Sequence, residues 1–237
     1  MNLINIAASQ ITFHGTSKKE LKEIRYFFDN EVVLLPNYFS IKNVIKSKIR
    51  NQILYIGRIH PIKKIENLIK AVSLSKEFKN LNYHLIIAGI NEERYQDYYD
   101  SLVSLVETLN LGNRVFFLGH VIGNKKSVLF AESKVTVLPS DTENFGNVVL
   151  ESLSMGVPVI ASQGTPWSIL NEIKGGSWVN NSPESLCSEI NRFIIMSEVD
   201  YRKVKKSARN LAVERFEISN GVNNWIRTYQ IKINRSK

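Results

Sequence analysis

The chain has 237 residues, 43 % of them hydrophobic, with no apolar run long enough to span a bilayer, which bounds it at one large domain or one and a half small ones. A single cysteine, Cys187, excludes an internal disulfide and a cysteine-cluster metal site and fits a cytoplasmic protein. The net charge of +9 gathers at the ends, with 8 Lys/Arg against 4 Asp/Glu in residues 1–50, 13 against 15 in 51–199, and 10 against 3 in 200–237.

That distribution has two readings: a solvated surface, or peripheral contact with the anionic inner face of a membrane. A nucleic-acid partner is not expected, because no recognition motif is present and no aromatic residues interleave the basic ones.

In chain order, Met1–Phe13 is mildly apolar but lacks a basic leader and a small-residue cleavage site, so it reads as structure rather than a signal peptide. A strand ending near Ile11–His14 leads to a helix over Ser17–Phe28 and a strand Val32–Leu35 stopped by Pro36. One strand–helix–strand unit cannot bury its own faces, so residues 1–36 are expected to belong to a second, largely missing domain and to expose apolar surface. Residues 37–51, with Lys42, Lys46, Lys48 and Arg50, read as a polar linker.

Then come five short apolar runs: Ile53–Ile56, Leu85–Ala88, Val115–Leu118, Val135–Leu138 and Val157–Ile160. Each is continuous, as in strands buried on both faces of a parallel sheet. A sixth strand is expected near Trp178–Val179. Helical spacing between the runs (Ile65, Leu68, Ile69, Val72; Tyr95, Tyr98, Tyr99, Leu102) makes βαβ units, hence an α/β, Rossmann-like doubly wound parallel sheet over 52–216. Helices over Pro183–Ser197, Tyr201–Arg215 and Ser219–Lys232 close the chain, Gly221 weakening the start of the last; residues 217–237 are expected to return towards the N-terminal segment.

Two segments carry the chemistry. Gly57-Arg58-x4-Lys63 follows the first strand of the sheet and supplies positive charge. After the fourth, Pro139–Pro158 holds Glu143 and Glu151, separated by the turn Phe145-Gly146-Asn147 that opens a helix. Ligands of open α/β sheets bind beyond the carboxyl ends of the strands. There the free N–H groups of a helix start attract an anion, and glycine lets it approach. Arg58 and Lys63 suit a diphosphate leaving group; the two carboxylates suit vicinal hydroxyls. No Asp-x-Asp pair is present to hold a divalent ion, so metal independence is expected, with no cofactor. Singly, Arg58 could close a helix cap and Glu151 be a solvated helix carboxylate; their joint order after the right strands points to one ligand. His60, His84 and His120 read as structural or solvent-facing.

On these residues, from about residue 10 onwards, the chain resembles the family 4 retaining glycosyltransferases, the group 1 transferases, whose GT-B fold sets two Rossmann-like domains face to face. Gly57-Arg58-x4-Lys63 matches the family's Gly-Arg…Lys element and Glu143-x7-Glu151 its Glu-x7-Glu motif. The resemblance implies that Arg58, Lys63 and Gly57, with amides near Phe145, Gly146, Asn147 and Val148, bind the diphosphate of a UDP- or GDP-sugar. It further implies that Glu151 holds ribose, Glu143 acts at the transferred sugar, and Val121 lies by the base. The acceptor would be a glycan or lipid-linked glycan. The Gly164-Thr-Pro-Trp167 loop is similar to that of bacterial surface-polysaccharide and lipopolysaccharide transferases. Two positions depart from the pattern, Lys64 and Tyr38, each where the family has glycine. The family's acceptor-side domain is expected to come from a separate N-terminal half or a homodimer, or to be lost, leaving a nucleotide-sugar-binding fragment.

Overall fold

The computed structural model describes residues 11–41 and 44–235. The early part of the expected N-terminal apolar segment, and Lys42 of the expected linker, lie outside the described residues. The main sheet has six parallel strands in the order β5-β4-β3-β6-β7-β8: β3 (Gln52–Ile56), β4 (His84–Ala88), β5 (Val115–Gly119), β6 (Val135–Leu138), β7 (Val159–Ser162) and β8 (Gly176–Val179). The chain lays β4 and β5 to one side of β3, then crosses back to lay β6, β7 and β8 on the other. The order therefore reverses between β3 and β6, and a crevice opens there beyond their carboxyl ends.

The apolar runs form these strands because they are covered twice. In β3, Ile53 and Tyr55 join the cluster made with α2 (Ile65–Leu74), α3 (Lys76–Asn80) and α4 (Gln96–Thr108), while Leu54 and Ile56 join Phe130 of α5 (Gly123–Glu132) on the other face. β5 departs from the expectation of two buried faces. It is an edge strand, and Phe116 and Leu118 are exposed on it. Its apolar run does not distinguish an edge from a centre, because that depends on which neighbour is absent.

A separate pair of parallel strands, β1 (Phe13–Gly15) and β2 (Val32–Leu34), is joined by α1 (Lys18–Phe27). Ser17 caps α1, its hydroxyl accepting from the Glu20 N–H. No residue of α1 is buried, and Tyr26, Phe27 and Phe28 are exposed with Leu34 beside them.

In the expected linker 37–51, apolar members among the described residues pack on the body. Phe39 and Ile41 pack on the cluster around Phe145, Ile45 on that around Phe130, and Ile49 on that around Ile53. The Phe39 N–H donates to Phe216 O, and Ile218 N–H to Phe39 O. After α6 (Asn147–Ser154), α7 (Ile169–Ile173) and α8 (Pro183–Ile195), the last helices are α9 (Glu198–Phe216) and α10 (Ile218–Arg235). Gly221, in the first turn of α10, makes room for Tyr38. A Cβ there would stand 2.2 Å from the Tyr38 ring, and Asn224 of the next turn donates to the Tyr38 hydroxyl at 3.1 Å. His14 meets Trp225 edge-on at 5.1 Å.

Where β3 and β4 end, their backbones touch: a Cβ on Gly89 would lie 1.7 Å from Gly57 O, an atom that cannot move aside without breaking the turn after β3. Gly89→Ala is therefore expected to cost about 3 kcal/mol in chemical denaturation. Gly112→Ala, in open space, is expected to fall within about 0.5 kcal/mol of wild type.

Candidate functional site

The loop after β3 is held from below. Tyr55 is fully buried, and its hydroxyl donates to Arg58 O at 2.8 Å. Burial first of all raises the Tyr55 pKa well above its ordinary value, so the hydroxyl stays protonated. Arg58 is consequently fixed in backbone while its side chain, 55 % exposed, borders the cleft. His60 then caps the short 3-10 turn Pro61–Lys63, its Nδ1 accepting from Ile62 N–H at 3.0 Å and its Nε2 lying 2.8 Å from Tyr95 Oη. Lys64 has φ 49°, the left-handed region that favours glycine. Its ammonium lies 3.3 Å from Asp141 Oδ2, an attraction that offsets part of the strain.

The loop after β6 lies across the crevice from it and is tied to it. Asp141 N–H donates to Ile62 O at 2.8 Å. Lys63 and Glu143 form an ion pair in which each side chain is only 14 % exposed. Ser140 Oγ donates to the same Glu143 oxygen at 2.8 Å. Gly146, at φ 78°, turns the chain into α6, whose first N–H groups at Asn147 and Val148 have no acceptor within the helix. Phe145 is largely buried where it borders the turn. It is buried edge-on against Trp167 at 5.2 Å and Phe216 at 5.8 Å, and the Trp167 indole donates to its carbonyl. The Gly164–Trp167 loop thus wedges the turn at Gly146 in place.

Arg58, Lys63, Glu143, Phe145, Gly146 and Asn147 line one cleft of about 500 Å³. Glu151 does not; one turn along α6, it faces a neighbouring cavity of about 410 Å³ and pairs with Lys126 at 2.7 Å. Val121 and Val148 pack on the cluster around Phe130, and Gly57 serves the strand contact described above. Sequence reasoning missed Lys126, because a lysine inside an amphipathic helix carries no signal of its own. It also missed the start of α1: Lys19 donates to Thr142 Oγ1, and Asn144 donates to Glu20 at 3.2 Å. Glu20 is braced by the N–H and hydroxyl of Thr16, both at 2.7 Å. The Ser17-x-x-Glu20 spacing of a capping box was the available hint.

The family described as glycosyl transferases group 1 matches residues 39–211. This chain belongs to that family. Among its relatives, this group 1 glycosyltransferase chain is 31 % identical over 182 residues to an uncharacterized glycosyltransferase of Methanocaldococcus jannaschii, and 31 % identical over 182 residues to the O-antigen chain mannosyltransferase B of Escherichia coli. Those alignments take in 76 % and 75 % of this chain but 44 % and 45 % of the relatives, so the chain spans about half the length of the curated relatives it matches. In fold it is similar to Anabaena HepE, solved with UDP and glucose (TM-score 0.82, 20 % identity, 96 % of this chain and 66 % of that one). A glycosyltransferase from Rickettsia africae is likewise similar (TM-score 0.83, 17 % identity, 98 % and 68 %). The doubly wound α/β fold expected from the strand spacing is the one these group 1 and GT-B proteins share.

The cap at His60 predicts a pH dependence of stability. Burial, then the cations Arg58, Lys63 and Arg94, lowers the His60 pKa below its ordinary 6.5, against a smaller opposing pull from Glu92. The unfolded chain takes up the proton first, so the cap's stability is intact above 6.5 and is lost as pH falls through the lower folded value. Urea titrations from pH 8 to 5 are expected to show wild type losing stability below about 6.5. His60→Asn, which caps without titrating, is expected to decline less steeply.

Proposed function

We propose that this chain is the donor side of a family 4 retaining glycosyltransferase, moving a sugar from UDP- or GDP-sugar to a glycan or lipid-linked glycan acceptor. The observation that carries this is the convergence of Arg58, Lys63, Glu143 and the α6 N-terminus on one cleft at the point where strand order reverses. As the bond from sugar to diphosphate breaks, negative charge grows on the leaving phosphate while the sugar becomes oxocarbenium-like. Arg58, Lys63 and the Asn147 and Val148 amides supply fixed positive potential to that charge without a divalent ion. For Lys63 to reach phosphate it exchanges its bond to Glu143, and the freed Glu143 carboxylate then accepts from sugar hydroxyls. Glu151 with Lys126 forms the adjoining ribose site, and Val121 borders the base.

A polysaccharide or lipopolysaccharide pathway at the cytoplasmic face of the membrane agrees with the name of the E. coli relative and with the basic chain ends. A second reading is a nucleotide-sugar-binding fragment without transfer of its own, favoured by a span of 44 % and 45 % of the curated relatives. A second copy or a separate acceptor-side half, seated on the exposed aromatic residues of α1, would complete the enzyme.

Calorimetric titration of the chain with UDP and GDP in the presence of EDTA tests the donor site. One of the two is expected to bind, and Arg58→Ala to weaken it about tenfold or more, the loss of a charge-assisted contact. Equal binding by wild type and Arg58→Ala sinks the reading. Sugar transfer that appears only when a separately expressed acceptor-side half is added would separate the split enzyme from the inert fragment.

A further inference from the structure

Arg58 is not alone at the rim of the cleft. Its Nη1 lies 3.4 Å from Glu92 Oε1, while Glu92 Oε2 accepts from Arg94 Nε at 2.7 Å and lies 2.5 Å from Arg94 Nη2. One carboxylate therefore spans two guanidinium groups, one oxygen to each, with the short contacts on Arg94 and the long one on Arg58. The loop that carries Glu92 is anchored against the loop that carries Arg58. Ile59 N–H donates to Ile90 O at 2.8 Å, and the Tyr95 hydroxyl meets His60. Arg94 is itself steadied, its guanidinium 4.9 Å above the Tyr95 ring. Arg94's hydrogen bond holds the Glu92 carboxyl below the usual carboxylate range, against a desolvation that raises it, and Arg58 adds to the lowering. Glu92 is thus an anion held closely by Arg94 and only at long range by Arg58.

We propose that Glu92 is an internal stand-in for the donor's diphosphate, occupying Arg58 until phosphate arrives and reclaiming it when the nucleoside diphosphate leaves. The inference rests on the reading of Arg58 as a diphosphate ligand and adds to it a positioning residue that sets affinity. The contact that must break is the long one, to Arg58, so the exchange costs little; Arg94 keeps hold of the carboxylate throughout. Competition of this kind gives the two neighbours opposite signs. Removing the Glu92 charge frees Arg58 for phosphate and tightens binding. Removing Arg94 leaves the whole Glu92 charge to Arg58 and weakens binding. A merely structural role for the pair would make both substitutions weaken it.

The experiment is calorimetric titration of the full chain with UDP, GDP and inorganic pyrophosphate at low salt. It compares wild type with Glu92→Gln, Glu92→Asp, Arg94→Gln and Arg58→Gln. Exposed ion pairs set the scale at about two- to fivefold. Glu92→Gln is expected to bind about two- to fivefold tighter, Arg94→Gln weaker by a similar factor, and Glu92→Asp to return towards wild type. The difference between wild type and Glu92→Gln is expected to shrink as salt screens the pair. Weaker or unchanged binding by Glu92→Gln overturns the inference while leaving the donor site standing, provided Arg58→Gln has lost affinity. Undiminished binding by Arg58→Gln overturns both. If wild type binds no probe, binding gained by Glu92→Gln supports the inference, and none gained overturns it.

Discussion

The reversal of strand order between β3 and β6 is the constraint from which the rest of the molecule follows. Two adjacent strands send their chains to opposite sides of the sheet, so neither following helix can cover the gap above their carboxyl ends. The loops that leave that gap are free to carry unusual backbone and charge, and they do. One carries Arg58 and Lys63, the other Ser140, Glu143 and Gly146. Their mutual attraction, through the Lys63–Glu143 pair and the Asp141–Ile62 hydrogen bond, holds the crevice in shape. Everything behind them serves rigidity: the Tyr55 hydroxyl under Arg58, the His60 cap, the wedge of Phe145 on Trp167.

Much of this was legible in the sequence because burial on both faces leaves an unbroken apolar run, and a parallel sheet needs crossovers that write themselves as helical periodicity. The six strands and the two charged loops are visible on that ground. What the sequence conceals is mutual position. An apolar run says nothing of whether its strand is at an edge, which is why Phe116 and Leu118 come out exposed. The packing of the Phe145 ring on Trp167 and Phe216, which backs the turn, has no signal in the sequence. Glu151 shares a motif with Glu143, yet the first turn of a helix carries it to Lys126 and a different cavity. Glu92 and Arg94 lie in an ordinary polar loop, and only the approach of that loop to β3 gives them a partner.

The cleft and the cavity beside it are close to electrically self-satisfied. Lys63, Glu151 and Arg58 each have a partner of opposite sign. Such an arrangement spares the chain the cost of uncompensated, half-buried charge. It also means that ligand affinity reflects the difference between two sets of ionic contacts rather than the gross strength of either. Lys64, placed at a left-handed position, shows a related exchange: backbone strain accepted where a lysine gains a carboxylate neighbour in Asp141.

The fit of Tyr38 into the space above Gly221 carries a consequence for the history of the sequence. The two positions lie far apart in the chain, yet the ring now requires the bare Cα. A glycine arriving first would have cost the last helix only about 1 kcal/mol of propensity, a loss that a stable ancestor survives. A tyrosine arriving first would have met a side chain at 2.2 Å from its ring. The permissible order of substitution therefore runs through Gly221, and the path back is closed until Tyr38 is replaced.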